Sequence, residues 1–356
     1  VNPLVRWLQA DRRLHLQHGP IDLIIEVAGN DSDDSMSAVR TVFQFAIDRF
    51  ETVLTELVEE LPTLRTLTCT SHCNVNGIIA KRMWQSAVSC EHAITVHTSD
   101  TGAQSQIAFS KGRTTPMIAV AGSVADDVLA AMLSDTSIAN QLHSVSVNNG
   151  GDIALYLSNS ARYRVGVVAN PEQVRINGAV ELTQSDGVGG IATSGWRGRS
   201  YSLGIADSVT VLAASASIAD AAATLIANSV RLDVTGSCQY ADKEFVERLP
   251  ACELDPDSDL GDTPVTTHVR PLPQRLIDRA LDNGHALAAS LTQQNIIAGA
   301  CLFLQDNNRS TGHVYQTLDR VSAGQPCEPG LTSRTQYIRH SKQTQRDISA
   351  GDLADA

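Results

Sequence analysis

Six short runs follow one another between about residues 143 and 213: "HSVSVNN", "DIALYL", "RYRVGVVAN", "AVELTQ", "GGIATSG" and "SVTVLAA", separated by Gly, Asn and Asp. Runs of this length between turn formers predict short strands with tight connections, and so a meandering sheet. The flanks carry a different period. Upstream, Met36, Val39, Val42, Phe43, Ala46, Ile47, Phe50, Val53, Leu54, Leu57 and Val58 recur every three to four residues. That spacing predicts a long amphipathic helix, capped at Asp33 or Asp34 and stopped by Pro62. Further helices are expected over 77–89 and 124–133, over the small-residue stretch 217–230 and within 273–290. "LHLQHGPIDLIIEVAG" (14–29) predicts two strands turning at Gly19-Pro20, and "NIIAGACLFL" (295–304) a late buried strand. Helices flanking a largely antiparallel sheet make an α+β fold.

Composition narrows the partners. The 356 residues carry a net charge of −12, which argues against nucleic acid or an anionic membrane, since both need a basic face. No stretch is apolar for long enough to span a bilayer, and "VNPLVRWLQADRRLHLQHGP" lacks the apolar core of a signal peptide. The seven cysteines are an odd number in a chain too long to need stapling. A reduced, cytoplasmic setting is the expectation. After about residue 325 the apolar pattern fades, so one domain over 1–325 and a polar tail over 326–356 are expected.

Three stretches could carry chemistry. In "VNNGGDIAL", Gly150 and Gly151 allow positive φ and close approach to the main chain, while Asn149 and Asp152 add polar groups on either side. A hairpin needs one such glycine; the second makes room for a ligand or serves the turn alone. In "GGIATSGWRGRS", Thr193, Ser194 and Gly195 end a strand with two hydroxyls and a glycine, and Arg197 and Arg199 come next. These types suit an oxyanion, or form a Gly/Ser loop with two solvated arginines. In "SIADAAATLIANS", Asp220 and Thr224 stand one helical turn apart and offer the hard oxygens that Mg²⁺ accepts. The plainer reading of Asp220 is an acid near the start of a helix.

In order along the chain, "VNNGGDIAL", "IATSG" and "SVTVLAASASIADAAAT" resemble the core motifs of the ApbE-like superfamily, whose best-known members are FAD:protein FMN transferases. The motifs cover about 115–230 and the looser likeness 14–305, most like an uncharacterised cytoplasmic branch. The resemblance implies T-fold-like antiparallel β-sheets packed on helices. It places Asn149, Gly150, Gly151, Asp152, Thr193, Ser194 and Gly195 around a flavin nucleotide, FAD. Asp220, Thr224 and a backbone carbonyl at Ala119, in "PMIAVAGSVADD", would be the Mg²⁺ ligands beside its pyrophosphate. Two departures stand out. The transferases' lysine before the glycine of the earlier segment is absent from "VAGSVAD", and their His-containing stretch is shortened to "RGRSYSLGIAD".

The function expected from the resemblance is a Mg²⁺-dependent reaction on a flavin nucleotide, either FMN transfer or pyrophosphate cleavage. Asp220 and Arg197 would be catalytic, with Arg197 standing in for the lysine, and Arg199 and Thr115 would meet the substrate. A hydrolase or other enzyme acting on a small cyclic or carboxylated metabolite, and a non-catalytic cofactor binder, are the alternatives. The partners are small molecules, with a homodimer expected from T-fold-like sheets. Asp126 and Asp127 read as ordinary helix residues. "LDPDSDLGD" (254–262) departs from a calcium loop and reads as an acidic surface loop placed to cover the site. "CTSHC" (69–73), with Cys90 and His92, lacks paired zinc spacing.

Overall fold

The computed structural model of the chain describes residues 2–8, 12–29, 33–68, 72–101, 114–169, 178–232, 243–312 and 335–336. Nine strands form one sheet in the order β1 (Leu4–Leu8), β2 (Arg13–His18), β3 (Ile21–Gly29), β4 (Leu142–Asn149), β5 (Asp152–Leu157), β8 (Gly190–Ser194), β9 (Ser208–Ala213), β12 (Gly299–Leu304), β13 (Asn307–Thr311). Every neighbouring pair is antiparallel. The helices among the described residues are α1 (Asp33–Leu64), α2 (Ile78–Thr101), α3 (Val120–Met132), α4 (Thr136–Ala139), α5 (Ala216–Ser229), α6 (Ala251–Leu254) and α7 (Gln274–Gln293). The molecule is an α+β fold with antiparallel sheets.

The expected meander is interrupted. β6 (Arg162–Val167) and β7 (Gly178–Thr183) leave the large sheet as a separate hairpin, so β8 pairs directly with β5. The cause lies in the burial of both faces. Ile153, Leu155, Ile191, Leu212 and Phe303 of the large sheet bury one face against Tyr163, Val165, Val180 and Leu182 of the hairpin. β10 (Val246–Pro250) and β11 (Pro264–Val269) form a further antiparallel pair. Of the tail expected over 326–356, only Thr335–Gln336 (β14) is described, paired in parallel with β6; the rest lies outside the described residues.

The helices cover the other face. Val39, Val42, Phe43, Ala46, Phe50 and Val53 of α1 are buried against β2–β4, α2 and α3. Each large apolar side chain so buried contributes about 2 kcal/mol. Val58, at the helix's far end, is 56% exposed and stands outside that stripe. Pro62 does not stop α1, which runs to Leu64. The ring sits in the last turn, where the helix has little further to run. α2 extends twelve residues beyond the expected end at 89, to Thr101. Arg49 ties α1 to α3, donating from Nε to Asp127 at 2.6 Å and from Nη1 to Glu56 at 2.7 Å. α5 and α7 share the remaining core with β9 and β12. Alanines at 219, 221, 222, 223 and 227 let α5 lie close to the sheet.

Candidate functional site

Two helices, α3 and α5, meet with their N-terminal turns in contact. A Cβ added to Gly122 would lie 2.2 Å from the carbonyl oxygen of Ala216, so only glycine allows the approach. At this junction each helix caps the other. Asp126, in the second turn of α3, accepts from the N–H groups of Ala216 (3.0 Å) and Ser217 (2.9 Å) at the start of α5. Asp220, in the second turn of α5, accepts from the N–H of Gly122 (3.0 Å) and from that of Ala121 at the start of α3. The Ser215 hydroxyl takes the N–H of Ile218, so the first turn of α5 keeps no orphan donor at these positions. Asp126, read from the sequence as an ordinary helix residue, is thus a structural counterpart of Asp220. No local signal could show this, because its partners lie some 90 residues away.

The Gly150-Gly151 turn joins β4 to β5 as a two-residue hairpin, with φ of +64° and +117°. Both glycines serve the turn. Asn148 accepts the N–H of Gly151 at 2.8 Å, and Asn149, 7% exposed, donates from its side chain to the carbonyl of Ala121 at 3.1 Å. This last bond ties the hairpin to the start of α3. The space beside Gly150 is taken by the chain itself: an added Cβ would lie 2.3 Å from Nη1 of Arg199. Arg199 is exposed and also donates to the carbonyl of Pro20.

Asp152 opens β5 beside this turn, half-buried, and accepts the N–H of Thr193 on β8 at 3.3 Å. Burial pushes its carboxyl up to about 7, against the pull of that N–H and of the Arg199 charge. Burial pushes Asp220 well above the ordinary carboxylate range too, and the charge of Asp152 raises it further. Asp126 is raised by burial, with the Ser217 and Ala216 donors opposing. Two acids on separate elements therefore share one field beside the N-terminus of α3.

The "TSG" strand end closes the site's other side. The Thr193 hydroxyl lies 2.9 Å from that of Thr210 on the next strand. Gly195 is needed for packing, since a Cβ there would lie 2.5 Å from the Asp207 carbonyl oxygen. The buried Asp207 organises the loop beyond Gly195. Its Oδ1 accepts from Trp196 Nε1 (3.1 Å) and Arg197 Nε (2.9 Å), and its Oδ2 from the N–H of Gln305 (2.7 Å). Arg197 also lies 4.3 Å over the Trp196 ring. The guanidinium of Arg197 is thus engaged by the chain's own Asp207 and Trp196. Asp207 is a second residue that sequence reasoning passed over, although an acid shortly after two arginines was a signal open to it.

Ala119, buried, ends the 3-10 turn Pro116–Ala119 that leads into α3. Thr115, just before it, donates to Asp259 at 2.9 Å, so the acidic loop does reach this edge of the molecule. Tyr201 is raised by burial and by the charge of the same loop's Asp255. Thr224 stands one turn beyond Asp220 on α5, half-buried. This donor set fits a hard divalent cation: two carboxylates held at raised proton affinity by burial, with a hydroxyl one turn from Asp220. Among the described residues no group of three or more His, Cys, Asp or Glu stands together as a metal site, so water or ligand oxygens would complete the shell. Cys69 lies outside the described residues, and burial raises the Cys90 thiol to about 12.

With this geometry in view, comparison with known proteins gives the relationship. The family model described as "AbpE bacteria" matches residues 5–311. The chain belongs to this family. Members of the uncharacterised UPF0280 group are similar over one segment. The protein from Methanococcus vannielii is 43% identical over 116 residues, which is 32% of this chain and 44% of that protein. The one from Methanothermobacter thermautotrophicus is 40% identical over 124 residues, 34% of this chain and 45% of that protein. The chain thus spans less than half the length of these relatives. Among solved structures, the flavinyl transferase ApbE of Pseudomonas stutzeri in its apo form has a TM-score of 0.43 at 14% identity, over 89% of this chain and 97% of that one. The flavin transferase ApbE of Vibrio cholerae has a TM-score of 0.37 at 14% identity, over 89% and 98%. Among the described residues, no helix of this AbpE-family chain is long and apolar enough to cross a membrane.

Proposed function

We propose that the chain binds a flavin nucleotide at the junction of α3 and α5 and, with Mg²⁺, transfers FMN from FAD or cleaves its pyrophosphate. The observation that carries this reading is the pair of half-buried acids, Asp152 and Asp220, set beside the N-terminus of α3. Family membership supports it, as does the order of the three motifs along the chain. Asp220, the Thr224 hydroxyl and the Ala119 carbonyl would hold the ion, and Asp152 would add a second negative charge. Bound there, Mg²⁺ would supply the counter-charge a pyrophosphate needs to accept attack.

The chain's own residues do the rest. The N–H groups of Ala121 and Gly122 hold the Asp220 carboxylate in one orientation before any ligand arrives. Asn149 fixes the hairpin against the same helix start, which sets the position of Asp152. Arg199, lying on the turn with one donor on Pro20, is the cation able to swing toward a phosphate, whereas Arg197 is engaged by Asp207. The role of charge clamp therefore falls better to Arg199. The acidic loop, joined to Thr115, would border the entrance.

Titration with FAD, with and without Mg²⁺, tests the reading through flavin fluorescence and release of FMN and AMP. Mg²⁺-dependent turnover lost in Asp220→Asn is expected. Saturable binding without turnover would make the chain a cofactor carrier, and no fluorescence change with no retained nucleotide overturns the flavin reading.

A further inference from the structure

Beside the N-terminus of α5, with Asp220 outside its lining, lies a second pocket of about 630 Å³. α2 contributes Arg82, Gln85, Ser86 and Ser89 to its wall, and the facing wall holds Asp126, Ser215, Ser217 and Ile218. Ile218 is its one apolar lining residue. The wall holds a donor that lacks an acceptor. Nη1 of Arg82 is buried and has no hydrogen-bond partner among the described residues, although the Arg82 charge acts on Asp126. Ser86, 4% exposed, stands one helical turn from it on the same wall. A buried charged donor without an acceptor is costly unless a ligand or water completes it.

We propose that this pocket binds a small polar metabolite that brings an anionic group, a carboxylate or a phosphate monoester, to Arg82 and a neighbouring hydroxyl to Asp126. The N-terminus of α5 does not supply the anion site, because Asp126 already occupies the N–H groups of Ala216 and Ser217. The anion's partners are instead the guanidinium of Arg82, whose planar fork matches both oxyanions, and the hydroxyl of Ser86. Asp126 then sets specificity. Its oxygens accept the N–H groups of Ala216 and Ser217 and the Ser217 hydroxyl, and the lone pair that remains accepts a ligand hydroxyl. An anion carrying a neighbouring hydroxyl is therefore favoured over one that carries none.

The test uses the full chain at constant ionic strength with sodium chloride as the balance. Glycerate, glycerol 3-phosphate and inorganic phosphate are titrated while the thermal midpoint is recorded. Glycerate and glycerol 3-phosphate should give saturable stabilisation, with inorganic phosphate weaker, and the stronger of the first two names the oxyanion. Arg82→Gln should weaken binding about tenfold or more, the loss expected for a charged hydrogen bond. Ser86→Ala should weaken it less, and Arg82→Lys should restore part of it. Asp220→Asn should change it far less than Arg82→Gln, which separates this pocket from the flavin site whatever that site's fate. Absence of saturable stabilisation by any of the three, or equal stabilisation of Arg82→Gln, overturns the proposal. Loss in Asp220→Asn with retention in Arg82→Gln places the anion at the other site and overturns it too.

Discussion

Replacing Asp152 with Asn should make the metal-free protein more stable at alkaline pH and leave it unchanged in acid. The Asn side chain keeps the oxygen that accepts the Thr193 N–H and removes only the charge. Asp152 is raised in the folded chain from 3.8 to about 7, a difference that corresponds to about 4 kcal/mol. The sign comes from proton uptake. A carboxyl whose folded value lies above its unfolded value binds the proton more tightly when folded. The stability this adds is fully present below pH ~4 and is lost as pH rises through ~7. Above that, the wild-type chain keeps a half-buried carboxylate near Asp220, whereas the Asn variant does not. Urea denaturation in EDTA at intervals from about pH 4.5 to 8 should show the two chains converging in acid. The variant should lead by up to about 4 kcal/mol at about pH 8, with equal m-values. Added Mg²⁺ at that pH should stabilise the wild type more than the variant. A gap that does not change with pH, or a wild type that is the more stable chain at alkaline pH in EDTA, would refute the reasoning.

Three further outcomes rest on the same geometry. Gly122→Ala places a methyl 2.2 Å from a backbone oxygen of α5, so the helices must part; a loss of about 3 kcal/mol, the upper end for overpacking, should appear as a lower urea midpoint. Asp126→Ala strips the cap from Ala216 and Ser217 and should cost about 2 kcal/mol in the same assay, with Asp126→Asn losing roughly half as much. Asp207→Ala leaves Trp196, Arg197 and the N–H of Gln305 without their shared acceptor. About 3 kcal/mol of stability should go, and the Trp196 contribution to fluorescence should change in the folded state.

The parts of this architecture that are local in sequence were legible, and the parts that depend on distant contacts were not. The period of α1, the strands at 142–149, 152–157 and 208–213, and the small-residue helix α5 all arise from patterns within a dozen residues. The departure of β6 and β7 into their own sheet did not, because a strand buried on one face reads alike whichever sheet receives it. β1, β10 and β11 lacked the continuous apolar pattern that marks a buried strand, and β1 is exposed along most of its length. At the site, the motif residues do gather: Asp152 beside Thr193, Asn149 on Ala121, Asp220 on Gly122. What the motifs could not convey was which polar groups the chain uses up on itself. The N–H of Gly151 goes to Asn148 and Arg197 to Asp207, leaving fewer available donors than the residue types promised.

That self-use bears on what the site can do. Asp220 reaches across to α3 because the small residues Gly122 and Ala216 let two helix starts touch. Its carboxylate is then fixed by the N–H groups of Gly122 and Ala121 and keeps lone pairs for a ligand. The carboxylate is therefore ordered by the fold, and a cation or ligand meeting it has no side-chain freedom left to remove. Asp126 performs the reciprocal task for α5 and lines the second pocket. One junction thus holds an oriented acid on each flank, and the requirement that fixes both is the same: two helix N-termini brought together must have their donors satisfied. A chain that keeps Gly122 and Ala216 but loses either acid would retain the close approach and lose the cap that makes it stable. Stability and ligand geometry at this junction should accordingly fail together in substitutions of the glycine, and separately in conservative substitutions of the acids.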